Sequence, residues 1–179
     1  VRELLPHPEK NPFPIVCGTS AGAINAATLA VFSENFDAAV GKLLDVWENF
    51  HVRHVYRSDP VSIARVGARW LAALTLLSRS SPVSLLDNSP LAEMLGRNLD
   101  FGRIQENIDN GSLFAVSITC SGYSSGQSVS FYQGGPGTEA WERTQRVGAA
   151  MPLRVEHLMA SAALPFIFPA VKINREYFG

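Results

Sequence analysis

The sequence has no apolar run of the roughly 18 uncharged residues that a membrane-spanning helix needs, so no segment of it reads as an integral membrane span. It also has no basic excess. Its 15 lysines and arginines stand against 16 acidic residues, for a net charge of -1. Proteins that grip a phosphate backbone carry a positive surplus, so nucleic acid is disfavoured as the main partner. Cysteine is scarce. Cys17 and Cys120 are the two in the chain, too few for a disulfide framework, and both fall in apolar, strand-like runs where a free thiol packs as a small hydrophobe. The first residues lack the charged-then-apolar pattern of a signal peptide. Val1 is not a methionine, and Val1 to Leu5 reads as the tail of a helix already under way. A longer parent chain is therefore expected, and an upstream signal stays open. No internal repeat or low-complexity tract is present.

What remains is a chain of 179 residues, 46% of them hydrophobic, which is a one-domain length able to bury a core. Pro6 to Pro14 holds four prolines and reads as a loop. Ile15 to Cys17 reads as a short buried strand, Gly18 ends it, and the alanine-rich Ala21 to Phe32 favours a helix. Phe36 to Phe50 carries Val40, Leu43, Leu44 and Trp47 at helical spacing. Asp59-Pro60 and Ser89-Pro90 are cap-and-proline pairs ahead of helices at Val61 to Leu77 and Leu91 to Leu99. Leu113 to Thr119 and Val129 to Gln133 alternate as strands of a hairpin across the polar stretch Ser121 to Ser128. Met151 to Ala163 is predicted as a helix and Val171 to Phe178 as a strand. Helices and strands intermix, which is the pattern of an α/β sandwich.

Gly18-Thr19-Ser20-Ala21-Gly22 follows the strand and opens the helix. Gly-x-Ser-x-Gly is a weak pattern by itself, but strand, tight turn and helix are the setting in which it forms a nucleophile elbow. The turn strains the serine backbone and exposes its hydroxyl. Small neighbours, here Gly18, Ala21 and Gly22, let strand and helix approach. The free N–H groups and positive end of the helix point where an oxyanion would develop. The plainer reading is a glycine-rich strand-to-helix turn with an incidental serine.

A serine hydroxyl needs a base to take its proton. His157 is the histidine placed late enough for a Ser-Asp-His order, yet it sits in a helical run beside Arg154 and Glu156 where a core-edge role is commoner. The aspartates present, Asp37, Asp45, Asp59, Asp87, Asp100 and Asp109, are explained by helix faces, caps and turns. His51 and His54, three apart, lack a third ligand and make a poor metal site. Val61 to Leu77, with Arg65 and Arg69 one turn apart and Trp70, Leu71, Leu74 and Leu77 on an apolar face, fits an interfacial helix and equally a lid or core-flanking helix.

Four stretches give the chain a likeness. They are Gly18-Thr19-Ser20-Ala21-Gly22-Ala23 running into Asn25-Ala26-Ala27; Leu85-Leu86-Asp87-Asn88-Ser89-Pro90-Leu91; the strand pair around Gly122 to Gly134; and Ala160-Ser161-Ala162-Ala163-Leu164-Pro165 with Phe168-Pro169. Over nearly its whole length the chain resembles the bacterial branch of the patatin-like phospholipases, lipid acyl hydrolases of the phospholipase A type. The resemblance implies a three-layer α/β/α sandwich with a mostly parallel central sheet, formed by one catalytic domain over residues 1–179. It implies a Ser-Asp dyad without histidine, in which Ser20 is the nucleophile and Gly18, Thr19, Ala21 and Gly22 build the elbow and oxyanion site. The family's aspartate lies in an Asp-Gly-Gly or Asp-Gly-Ala motif, expected just beyond Gly179. Its glycine-rich oxyanion loop is expected before Val1. Both are absent from the sequence, so the domain is expected to be truncated or incompletely ordered at its two ends. No metal and no organic cofactor are implied. The expected substrate is a phospholipid or another acyl-ester lipid, met through peripheral membrane contact in a cytoplasmic or membrane-peripheral setting. A thioesterase or acyltransferase using the same serine, and a non-catalytic lipid-binding pseudoenzyme, are the alternatives.

Overall fold

The computed structural model describes residues 4–7, 9–48, 87–165 and 167–179. The expected helix Val61 to Leu77, the break Ser78 to Ser84, and Asp59, His51 and His54 lie outside the described residues.

Strand β1 (Ile15–Gly18) is followed after two residues by helix α1 (Ala21–Val31). β1 pairs in parallel with β2 (Ala115–Ser121), which pairs antiparallel with β3 (Ser128–Gly134). β3 is joined in parallel by β5 (Arg146–Ala150), and β4 (Trp141–Arg143) closes the far edge antiparallel to β5. The result is a mixed central sheet in the order β1-β2-β3-β5-β4. With the helices packed upon it, the sheet makes the α/β sandwich anticipated from the intermixed elements.

Strand alternation creates the packing face. On β2, Val116, Ile118 and Cys120 are buried while their neighbours are half-exposed, and Val129 and Phe131 of β3 lie opposite Cys120 and Ile118 on the same face. Against it lies α1, where Ala23, Ala26, Ala27 and Ala30 are almost fully buried. Alanine serves here because a helix with methyl side chains can sit close to a sheet without a gap to fill. Helix α2 (Phe36–Glu48) packs on α1, and Trp47 Nε1–H donates to Asn25 Oδ1 at 2.8 Å. Helices α3 (Ser89–Asn98), α4 (Gly102–Asp109) and α5 (Val155–Ser161) complete the described helices of this layer. Asn107 of α4 is buried and its amide donates to the Ala30 and Val31 carbonyls at 2.8 and 3.0 Å. Those carbonyls end α1 and have no acceptor role left inside it, so a side chain from a distant segment satisfies them.

Several elements differ from the sequence-based expectation. Cys17 is exposed, because β1 alternates and turns Val16 rather than Cys17 toward α1; Cys120 is buried as expected. The expected helix Met151 to Ala163 is helical only over Val155–Ser161. Pro152 biases Met151 to extended backbone, and Arg154 is itself extended at φ -147° and ψ 172°. The expected strand Val171 to Phe178 is a hairpin of β6 (Val171–Ile173) and β7 (Glu176–Phe178). Asn174 takes φ 55° at the turn, a conformation asparagine tolerates better than most residues. α4, β4 and β5 lack an expected counterpart. α4 spans eight residues with little more than Ile104 and Ile108 as an apolar stripe, and β5 lies between β3, a strand distant in sequence, and β4, whose Trp141 ring lies across Gly148.

Candidate active site

Ser20 stands alone at the tip of the β1–α1 turn. Its backbone takes φ 53° and ψ -124°, outside the regions open to residues with a Cβ, at a cost on the order of 1–3 kcal/mol. Such an outlier persists when its surroundings over-determine it, and they do so here from both sides. A Cβ on Gly18 would lie 2.1 Å from the Gly22 carbonyl oxygen and 2.7 Å from the Ala23 nitrogen. Only glycine lets the end of the strand touch the first turn of the helix. At Gly22 a Cβ meets nothing within 4 Å among the described residues, so the expected need for a small side chain holds at Gly18 and not at Gly22.

The start of α1 sets the electrostatics. The Ala23 N–H is the first to be spent within the turn, on the Ser20 carbonyl at 2.9 Å. Helix geometry leaves the Ala21 and Gly22 N–H groups ahead of it without an intrahelical acceptor. No acidic side chain occupies the first turn of α1, so its positive end is not neutralised from within the helix.

Three other segments converge on the elbow. The Ser20 N–H donates to Ser161 Oγ at 2.8 Å, and Ser161 Oγ–H donates to the Thr119 carbonyl at 2.7 Å. Thr19 Oγ1 donates to the same carbonyl at 3.1 Å. A cavity of about 270 Å³ opens beside Ser20, bordered by Thr119, Ser121, Tyr123, Ser161, Leu164 and Gly179 among others. Its rim mixes hydroxyls with apolar groups, and no described residue that borders it carries a carboxylate or an imidazole. A larger cavity of about 640 Å³ lies between α2 and α3, but the described residues around it, among them Lys42, Asp45, Glu93 and Arg97, offer no hydroxyl or thiol nucleophile.

The other sequence candidates lie elsewhere. His157 is 1% exposed, its ring edge-on to Phe131 at 4.9 Å. Its Nδ1 accepts the Arg154 N–H at 3.0 Å, leaving Nε2 to face Met151 Sδ at 3.2 Å. Burial holds its pKa below the ordinary histidine value, with smaller opposing contributions from the Arg154 backbone and Glu156. It caps α5 and fills core. Asp87 and Asp100 accept the N–H groups of Ser89 and Gly102 at helix starts, and Asp109 accepts from Gln105. Among the described residues no group of three metal-ligating side chains forms.

The end of the chain does reach the site. Ser121 and Gly179 exchange backbone hydrogen bonds at 2.8 and 3.0 Å, and the Tyr123 N–H donates to the Tyr177 carbonyl. Glu176 secures this pairing by accepting the Ser124 and Ser125 N–H groups at 3.0 and 2.7 Å, and those bonds, that of Ser125 foremost, hold its carboxyl below the ordinary glutamate value. A Cβ on Gly179 would lie 2.0 Å from Tyr123 Oη and 2.6 Å from the Ala163 carbonyl, so its backbone is wedged against the cavity wall. Sequence reasoning did not anticipate Ser161 and Thr119 at the elbow. Ser161 lies within one of the stretches that carry the resemblance, but its bond to Ser20 spans 141 residues and leaves no local pattern.

The profile of the patatin-like phospholipase family matches residues 1–179, the whole chain. No curated protein and no solved structure matches it.

Proposed function

The chain belongs to the patatin-like phospholipase family, and we propose that it is a lipid acyl hydrolase of the phospholipase A type acting through Ser20 and an aspartate that follows Gly179. Membership supports lipid acyl hydrolysis in general. The observation that carries the finer reading is Ser20 itself, strained at φ 53°, exposed at a helix start and facing a cavity that the final residue borders. Ser20 Oγ attacks the acyl carbonyl carbon while the carboxylate accepts its proton. The Ala21 N–H, with a glycine-rich loop preceding Val1, holds the oxyanion; one such donor is worth about 10²–10³ in rate. Collapse breaks the ester bond and expels the lysolipid alkoxide, which takes up the proton. Water, activated by the same carboxylate, then hydrolyses the acyl-Ser20 ester and releases the fatty acid. The substrate is a phospholipid or a related acyl-ester lipid met at a membrane surface.

The test uses the full-length protein. Ser20→Ala is expected to abolish fatty-acid release from phospholipid vesicles and labelling by a fluorophosphonate probe, and replacing the aspartate after Gly179 by asparagine to do the same to hydrolysis. Persistent hydrolysis by purified Ser20→Ala protein refutes the assignment. Failure of the unmutated protein to react with the probe favours a lipid-binding pseudoenzyme instead.

A further inference from the structure

We infer that Ser161 is a positioning residue for the nucleophile, its hydroxyl locking the Thr19–Ser20 peptide in the orientation that aims Ser20 into the cavity. The inference rests on Ser20 being the nucleophile. A residue's φ and ψ are fixed when the peptide planes on its two sides are fixed. The plane after Ser20 is set by α1, through the Ala23 N–H on the Ser20 carbonyl at 2.9 Å. The plane before it is set by Ser161 Oγ, which accepts the Ser20 N–H at 2.8 Å.

The hydroxyl is itself held. A serine in a helix ordinarily returns its O–H to the carbonyl four residues back, here that of His157. That carbonyl is taken by the Cys120 thiol at 3.6 Å, and Ser161 Oγ–H reaches across to the Thr119 carbonyl at 2.7 Å. Its one proton is thereby spent on β2, and its lone pairs face the elbow, one of them taken by Ser20. Thr19 Oγ1 lies 3.4 Å from Ser161 Oγ and shares the Thr119 carbonyl, so β2, α5 and the elbow meet at one oxygen. Without the hydroxyl, the Ser20 N–H loses its acceptor and the strained peptide can rotate toward an ordinary conformation, carrying Oγ away from its aim.

Full-length protein with Ser161→Ala, Ser161→Cys and Ser161→Thr is compared with the unmutated protein and with Ser20→Ala. The readouts are kcat and KM on a short soluble ester, the rate of fluorophosphonate labelling, and Tm. Displacing a nucleophile by about 1 Å costs on the order of a hundredfold, so Ser161→Ala should lower kcat and the labelling rate together by about ten- to a hundredfold. KM should stay within about twofold, since the Ser161 hydroxyl, though it borders the cavity, is engaged by the Ser20 N–H and the Thr119 carbonyl. Ser161→Cys, which fills the space with a poor acceptor, should behave as Ser161→Ala and serves in its place if that variant does not fold. Ser161→Thr keeps the hydroxyl and should retain most of the activity. Unchanged kcat and labelling in the Ala or Cys variant, beside an inactive Ser20→Ala control, overturns the role of Ser161 alone. An active Ser20→Ala control overturns the nucleophile assignment instead.

Discussion

Two glycines of one pentapeptide should respond to the same substitution with opposite sign. In Gly18→Ala the new methyl would lie 2.1, 2.4 and 2.7 Å from the Gly22 oxygen, the Gly22 carbon and the Ala23 nitrogen. All three are backbone atoms of the first turn of α1, so no side chain can swing aside. Ordinary contact begins near 3.5 Å, and β1 and α1 must part by about 1 Å or more. Overpacking of this kind costs about 1–3 kcal/mol. For a chain of 179 residues, each kcal/mol moves Tm by about 2–4 °C, giving a loss of roughly 2–12 °C. Because the parting displaces Ser20 from the helix start, ester hydrolysis by the full-length protein should fall by about a hundredfold as well. In Gly22→Ala the methyl, within a helix, meets nothing within 4 Å among the described residues. Replacing a helical glycine there removes freedom from the unfolded chain and should stabilise by about 0.4–1 kcal/mol, a gain of roughly 1–4 °C. Differential scanning calorimetry of both variants decides the matter. A Gly18→Ala protein within a degree of the unmutated Tm, or a Gly22→Ala protein that loses as much as Gly18→Ala, refutes the close-approach argument.

His157 should make stability fall in mild acid. Burial depresses its pKa in the folded state, while the unfolded chain takes up the proton near pH 6.5, so its contribution is complete above about pH 6.5 and is lost as pH drops toward the folded value. Urea unfolding should show a slope of up to about 1.4 kcal/mol per pH unit below 6.5, and His157→Gln should flatten it; an unchanged slope counts against the assignment. The two thiols should separate cleanly in a titration with a disulfide-exchange reagent. Exposed Cys17 should react in the native protein, whereas Cys120, its pKa pushed up to about 12 by burial, should react only after unfolding. Rapid reaction of both thiols in the native state contradicts the packing described for β2.

The local elements nearest Ser20 were legible in the sequence because each is encoded by its own residues. A β-branched run stopped by glycine gives β1, consecutive alanines give α1, and alternation gives β2 and β3. The departures have different origins, one distant and two local. β5 is a strand because β3 and β4 flank it, and α5 is shorter than its apolar pattern because Pro152 keeps the chain extended. Cys17 was misplaced because a four-residue strand does not reveal which of its faces meets a helix.

By itself the sequence determined that a serine would stand between a strand and a helix, and that glycine, alanine and glycine would surround it. These follow from steric rules acting over five residues. Tertiary structure decided what holds that serine: Gly18 is required by contact and Gly22 is not, Ser161 takes the Ser20 N–H from 141 residues away, and Gly179 is drawn to the same cavity by its pairing with Ser121. Hydrogen bonds and close contacts between distant segments depend on where the sheet and helices bring those segments, and no local spacing in the chain records that.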